Sequence, residues 1–180
     1  SRGLGDVYKR QAVIRPFLRN SENGVAMPPA EEFEKMITPR TRAILISNPN
    51  NPTGYLYSRK ELEDMRDLVE KYDLYLFSDE VYREFCYTGA PHISCLHLEG
   101  IRDNVILIDS VSKRYSECGI RIGALISKNE QVRQNVMKFC QARLCPPLIG
   151  QLIAEASLDV HESYMEKVYT EYLGRRTFMI

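Results

Sequence analysis

The chain has 180 residues, 44% of them hydrophobic and 27% charged, which is enough apolar material for one domain or a large part of one. Lys plus Arg and Asp plus Glu both number 24, so the net charge is zero and there is no basic excess of the kind that binds nucleic acid. The apolar runs are too short to span a membrane, no secretory signal is visible, and Cys86, Cys95, Cys118, Cys140 and Cys145 lack paired metal spacing, so reduced thiols in a cytoplasmic protein are expected.

Strand and helix patterns alternate along the chain. Residues 13–18 read as a strand and 31–37 as a short helix, and Ala43–Ser47 is an apolar strand feeding the loop Asn48-Pro49-Asn50-Asn51-Pro52-Thr53-Gly54. Ser58 with Glu61 three residues later is a capping box, and Leu62, Met65, Leu68 and Val69 form the apolar stripe of a helix that ends near Tyr72. A strand over 74–78, a long connection through Pro91 and Gly100, and strands over 105–109 and 122–127 complete the sheet. From Asn129 the pattern is helical, and Pro146-Pro147 breaks one helix from the next. A last helix over 163–177 carries Tyr164, Val168, Tyr172 and Leu173 on one side. This alternation predicts an α/β fold, a mostly parallel sheet with helices on both faces.

Two of the predicted strands end in chemistry. The apolar run 104–109 leads into Ser110-Val111-Ser112-Lys113, and the run 74–78 leads into Asp79-Glu80-Val81-Tyr82. Ligands of open α/β sheets bind at the carboxyl ends of the strands. An amine, a carboxylate, the neutral donors Tyr82 and Asn51, and the hydroxyl and guanidinium groups of Ser110, Ser112 and Arg121 are the parts needed to hold an aromatic aldehyde phosphate, pyridoxal phosphate. The lysine forms an imine with the cofactor aldehyde and then acts as the base at the substrate α-carbon. Since the ordinary lysine pKa is about 10.4, it needs desolvation or cationic neighbours to become a nucleophile. Asp79 suits the protonated pyridine nitrogen, which keeps the ring able to absorb electrons, while Tyr82 and Asn51 suit the ring oxygen. Taken singly, each string has a plainer use as a strand end, a turn or a surface segment. It is their joint occurrence, in order and behind apolar strands, that singles them out.

Together with Arg121-Ile122-Gly123, these segments resemble the class I/II aminotransferases of pyridoxal phosphate fold type I, and within them the aspartate aminotransferase branch, over roughly residues 13–180. The resemblance implies that Lys113 is the Schiff-base lysine and, with Asp79 and Tyr82, catalytic. It implies that Asn51, Asp79, Tyr82, Ser110, Ser112, Lys113 and Arg121 bind the cofactor and that the strand over 122–127 runs antiparallel to its neighbours; no metal ligands are expected. The implied reaction is transamination between an amino acid, aspartate being the expected one, and a 2-oxo acid such as 2-oxoglutarate, in a homodimer with its sites at the subunit interface. Two positions depart from the pattern: Ile120 precedes Arg121 where many relatives carry an aromatic residue, and Arg114 follows the lysine where a smaller residue is usual.

Members of this family are usually more than twice as long, so the chain reads as an internal fragment that is inactive alone. On that reading residues 1–11 are cloning or sequencing sequence, 12–162 are part of the cofactor-binding large domain, and 163–180 begin a helix leading to a missing carboxy-terminal small domain. The glycine-containing phosphate loop, the aromatic residue stacked on the ring and the arginine for the substrate carboxylate are expected in the missing regions. A carbon–sulfur β-lyase shares the lysine, aspartate and tyrosine, and a pyridoxal phosphate-binding transcription regulator carries a similar domain behind a winged helix. An α-oxoamine synthase has His where Tyr82 stands, which counts against it. Cys118, near the lysine in sequence, is expected in the core.

Overall fold

The computed structural model describes residues 12–17 and 28–180, which fall into two compact units, Ser1–Thr41 and Arg42–Ile180. The segment 1–11 and Leu18 lie outside the described residues.

In the first unit, helix α1 (Ala30–Glu34) follows Pro29 and carries Glu31 and Glu32 in its first turn, where acidic groups complement the helix dipole. It stops three residues short of the expected end. The backbone continues as turns, with Met36 N–H donating to Phe33 O and Ile37 N–H to Glu34 O, towards Pro39, whose ring disfavours helix in the residue before it. Residues 13–17 are not a strand: Val13 is 83% exposed, and Phe17 instead stacks on Phe33 with ring centroids 4.6 Å apart. A strand needs a ladder partner, and this segment has none among the described residues.

The second unit is built on a four-stranded sheet in the order β1 (Ala43–Ser47), β2 (Tyr75–Asp79), β3 (Val105–Ser110), β4 (Gly123–Ser127). The first three strands are parallel and β4 is antiparallel to β3. Helix α2 (Arg59–Tyr72) connects β1 to β2, and its capping box is formed as the sequence predicts: Ser58 accepts from Glu61 N–H while the Glu61 side chain accepts from Ser58 N–H. Leu62, Met65, Leu68 and Val69 are all buried, each contributing about 1.5–3 kcal/mol of apolar transfer. The helix ends on Asp73 in the left-handed region, φ 49°, and Leu74 N–H returns to Val69 O. That use of Leu74 by the helix end is why β2 begins one residue later than the apolar run suggests.

Because side chains alternate across a strand, the register sorts the sheet into two unlike faces. Leu76, Val105, Leu107 and Ser78 share one face and are fully covered. The other face carries Tyr75, Leu45 (66% exposed) and Leu125, all open to solvent, beside the buried Ile106. Asp79 belongs to this second face, and Glu80, one residue on, is fully buried.

After β3 come the single turn α3 (Val111–Arg114), then β4, α4 (Glu130–Arg143), α5 (Leu148–Ala156) and α6 (Ser163–Met179). Asn129 caps α4 by accepting from Val132 N–H, and α5 starts after Pro147. Gly150 lets α5 approach the segment before β4 closely, since a Cβ there would lie 2.8 Å from Ile120 O. No helix among the described residues is long and apolar enough to cross a membrane.

Candidate active site

The carboxyl ends of β1, β2 and β3 open onto a cavity of about 510 Å³, within the range of small-molecule sites. Its lining includes Asn51 and Gly54 from the loop after β1, Tyr82 and Phe85 from the turns after β2, Ser112 and Lys113 from α3, and Cys118. Asn51 Nδ2 donates to the Tyr82 hydroxyl at 3.3 Å, so the two neutral donors singled out in the sequence converge on one point from separate loops. The Lys113 amine stands 5.6 Å from the centroid of the Tyr82 ring, and the residue is exposed.

Asp79, Ser110 and Arg121 stand outside the cavity lining. Asp79 closes β2, paired in register with Ser47 and Ile108, and its Oδ1 accepts from Val81 N–H at 3.3 Å. Ser110 ends β3 opposite Gly123; its Oγ lies 2.7 Å from Ser112 Oγ, donates to Ile122 O at 2.8 Å and accepts from Ser112 N–H. Ser110 and Ser112 thus form one hydroxyl pair. Arg121 has a positive φ of 63° and donates from Nη1 to Cys118 O at 2.8 Å. Cys118 is exposed on the cavity instead of packed in the core, because the turn 115–119 that carries it runs along the rim.

Helix α6 borders the same region through aromatic pairs. Phe85 meets Tyr172 edge-on at 5.7 Å, Tyr87 stacks on Tyr169 at 5.3 Å, and Tyr169 Oη donates to Cys86 O. Tyr172, on the side predicted as apolar, is one of the cavity residues, whereas the role of Tyr169 was not foreseen.

A buried polar cluster lies behind Asp79. Glu80 Oε1 accepts from Ser78 Oγ and from Cys95 N–H, each at 2.9 Å, and Oε2 faces His92 Nε2 at 3.6 Å. Burial pushes the Cys95 thiol up to about 12, which makes it a core group and not a nucleophile. Burial also holds the His92 imidazole below its ordinary value, outweighing the pull of Glu80, and Arg83 acts in the same direction as burial. The unfolded chain therefore takes up the proton first. Stability from neutral His92 is complete above about pH 6.5 and is lost as the pH falls from there towards the folded value. Acid unfolding followed by circular dichroism is expected to show this slope, and His92→Gln is expected to remove it.

The arrangement agrees with what the chain is similar to. The family model for aminotransferase class I and II matches residues 9–180. The chain belongs to this family. An aspartate aminotransferase of Thermotoga maritima is 36% identical over 154 residues, covering 85% of this chain and 40% of that protein. An aromatic-amino-acid aminotransferase of Thermococcus litoralis is 34% identical over 151 residues, covering 83% of this chain and 39% of that one. The crystal structure of the Thermotoga maritima aspartate aminotransferase superposes with a TM-score of 0.76 at 36% identity, covering 84% of this chain and 39% of its own. The aromatic aminotransferase of Pyrococcus horikoshii gives 0.77 at 32% identity, covering 84% and 41%. The chain therefore spans about two fifths of the length of the relatives it matches.

Proposed function

We propose that the protein containing this chain transfers an amino group from an amino acid to a 2-oxo acid, with pyridoxal phosphate held by Lys113, Asp79, Tyr82, Asn51, Ser110, Ser112 and Arg121. The observation that carries this reading is the convergence of Asn51 and Tyr82 beside the Lys113 amine. Two neutral donors from different loops at one point suit a single acceptor oxygen, and the amine beside them suits an aldehyde. The paired Ser110 and Ser112 hydroxyls, with Arg121 close in sequence, suit a phosphate. The donor set fits the cofactor.

When bound, the cofactor takes up the electron pair left at the substrate α-carbon. Lys113 would hold the cofactor through its amine and carry the α-proton. Asp79 would hold a proton on the ring nitrogen, Tyr82 and Asn51 would donate to the ring oxygen, and the serines and Arg121 would orient the phosphate. Aspartate with 2-oxoglutarate is the preferred substrate pair, the choice of aspartate being in keeping with the name of the aspartate aminotransferase relative, and a homodimer is the working assembly.

The test is a coupled assay of the full-length protein with aspartate and 2-oxoglutarate, run beside tyrosine and alanine as donors. Turnover with aspartate above the other two is the expected result; preference for tyrosine overturns the substrate assignment, and no transamination of any donor overturns the reading. The 180-residue chain alone is expected to aggregate or bind the cofactor weakly and to show no measurable transamination. It leaves Phe139, Leu148, Ile149 and Leu158 exposed on and after α4 and α5, and Leu45 exposed on the sheet.

A further inference from the structure

Four charged side chains close a ring. Asp109 Oδ2 pairs with Arg83 Nη2 at 2.9 Å and with Arg114 Nη2 at 3.3 Å. Glu84 Oε1 stands 3.4 Å from Arg83 Nε and 3.0 Å from Arg114 Nε. The signs alternate around the ring, so each cation touches both anions. Arg83 follows Tyr82, Arg114 follows Lys113 and Asp109 precedes Ser110, so each of these three ring members is the chain neighbour of a proposed site residue. The ring joins the turns after β2 to the end of β3 and to α3, segments that share no strand pairing beyond Glu80 N–H to Ile108 O. The Asp109 and Arg114 side chains are largely shielded from water, which keeps their attraction from being screened as an exposed pair is.

We propose that Arg114, with Asp109, Glu84 and Arg83, is a positioning residue that fixes the Lys113 amine against Tyr82, and so sets how tightly pyridoxal phosphate is held and in what protonation state. None of the four lines the cavity. They act through the residues beside them: without the ring, the single turn α3 is held by Ser110 and its own backbone, and Lys113 gains freedom relative to Tyr82. An arginine is required here because its planar fork reaches Asp109 and Glu84 together, whereas a lysine is a point charge that favours one of them.

The inference rests on the proposed cofactor site, and its test separates the two. Full-length protein is titrated with pyridoxal phosphate for wild type, Arg114→Met, Arg114→Lys, Glu84→Gln and the Arg114→Met/Glu84→Gln double variant, and the pH midpoint of the absorbance of the bound cofactor is recorded with the melting temperature. Arg114→Met is expected to bind about tenfold more weakly and to shift the midpoint by about half a pH unit or more. Arg114→Lys is expected to recover part of both effects, and Glu84→Gln to weaken binding less once Arg114 is already replaced. If wild type takes up no cofactor on Lys113, the site reading fails. If wild type binds and Arg114→Met matches it in affinity and midpoint, whatever its melting temperature, the positioning role fails. Should Arg114→Met not fold, unchanged affinity and midpoint in Glu84→Gln and Arg114→Lys overturn it equally.

Discussion

Replacing Lys113 by Ala in the full-length protein is expected to abolish covalent attachment of pyridoxal phosphate and to lower turnover by a factor of about 10²–10⁴ or more, since in the proposed function the same amine also carries the proton. The position singles itself out structurally. Lys113 sits on a single turn directly after β3, lines the cavity and faces Tyr82, with the Ser110–Ser112 hydroxyl pair beside it. Lys128 follows the end of β4 and Lys138 lies on α4, and neither lines that cavity. Borohydride reduction of the loaded protein followed by peptide mapping checks the assignment, with label expected on the peptide containing Lys113. Label on Lys128 or Lys138 would remove Lys113 from the centre of the site.

The elements that sequence alone made legible are those whose signal is local and whose partners are close in the chain. The Ser58–Glu61 capping box and the four-residue stripe behind it define α2 because both are satisfied within one helix. Ala43–Ser47 is a strand as read, since an apolar run of four ending in Ser47, between a turn and a proline-rich loop, has few other uses. Where two elements compete for one residue, the boundary moves: Leu74 has the hydrophobicity of a strand residue, but its N–H closes the end of α2. Residues 13–17 fail as a strand for the opposite reason, because β propensity without a ladder partner is not structure. The antiparallel direction of β4 was implied by resemblance alone, since periodicity carries no sense of direction.

The site divides along the same line. The residue types and their order are visible in the sequence, but the meeting of Asn51 with Tyr82 across 31 positions is a product of the parallel register of β1 and β2. The facing of His92 and Glu80 in the covered interior has no periodic signature at all. Arg114 was visible only as an irregular residue after the lysine, and it becomes intelligible when Asp109 and Glu84 are found on either side of its guanidinium. An unusual charge beside a functional residue is thus a signal available in the sequence, though its partners come from the fold.

Asp79→Ala is expected to separate cofactor attachment from catalysis. Asp79 and Glu80 are consecutive carboxylates with different environments: Glu80 is fully buried among Ser78, Cys95 and His92, while Asp79 closes β2 on the opposite, less covered face. The backbone role of Asp79, accepting from Asn48 N–H at 2.9 Å, survives the substitution, so the strand end and the Asn51 loop stay in place. What would be lost, on the proposed function, is the carboxylate that would hold a proton on the ring nitrogen, and with it the electron sink needed when the α-proton leaves. Labelling of Lys113 by borohydride is expected to remain largely intact while kcat falls by about 10²–10⁴. Tyr82→Phe is expected to be milder, loosening the cofactor while Asn51 still donates to the ring oxygen. Glu80→Ala, by contrast, leaves Ser78 Oγ and Cys95 N–H without their acceptor, removes the carboxylate facing His92, and is expected to lower stability before it alters chemistry. Single-turnover kinetics with labelling of each variant distinguishes the three, and near-normal turnover in Asp79→Ala would take Asp79 out of the mechanism.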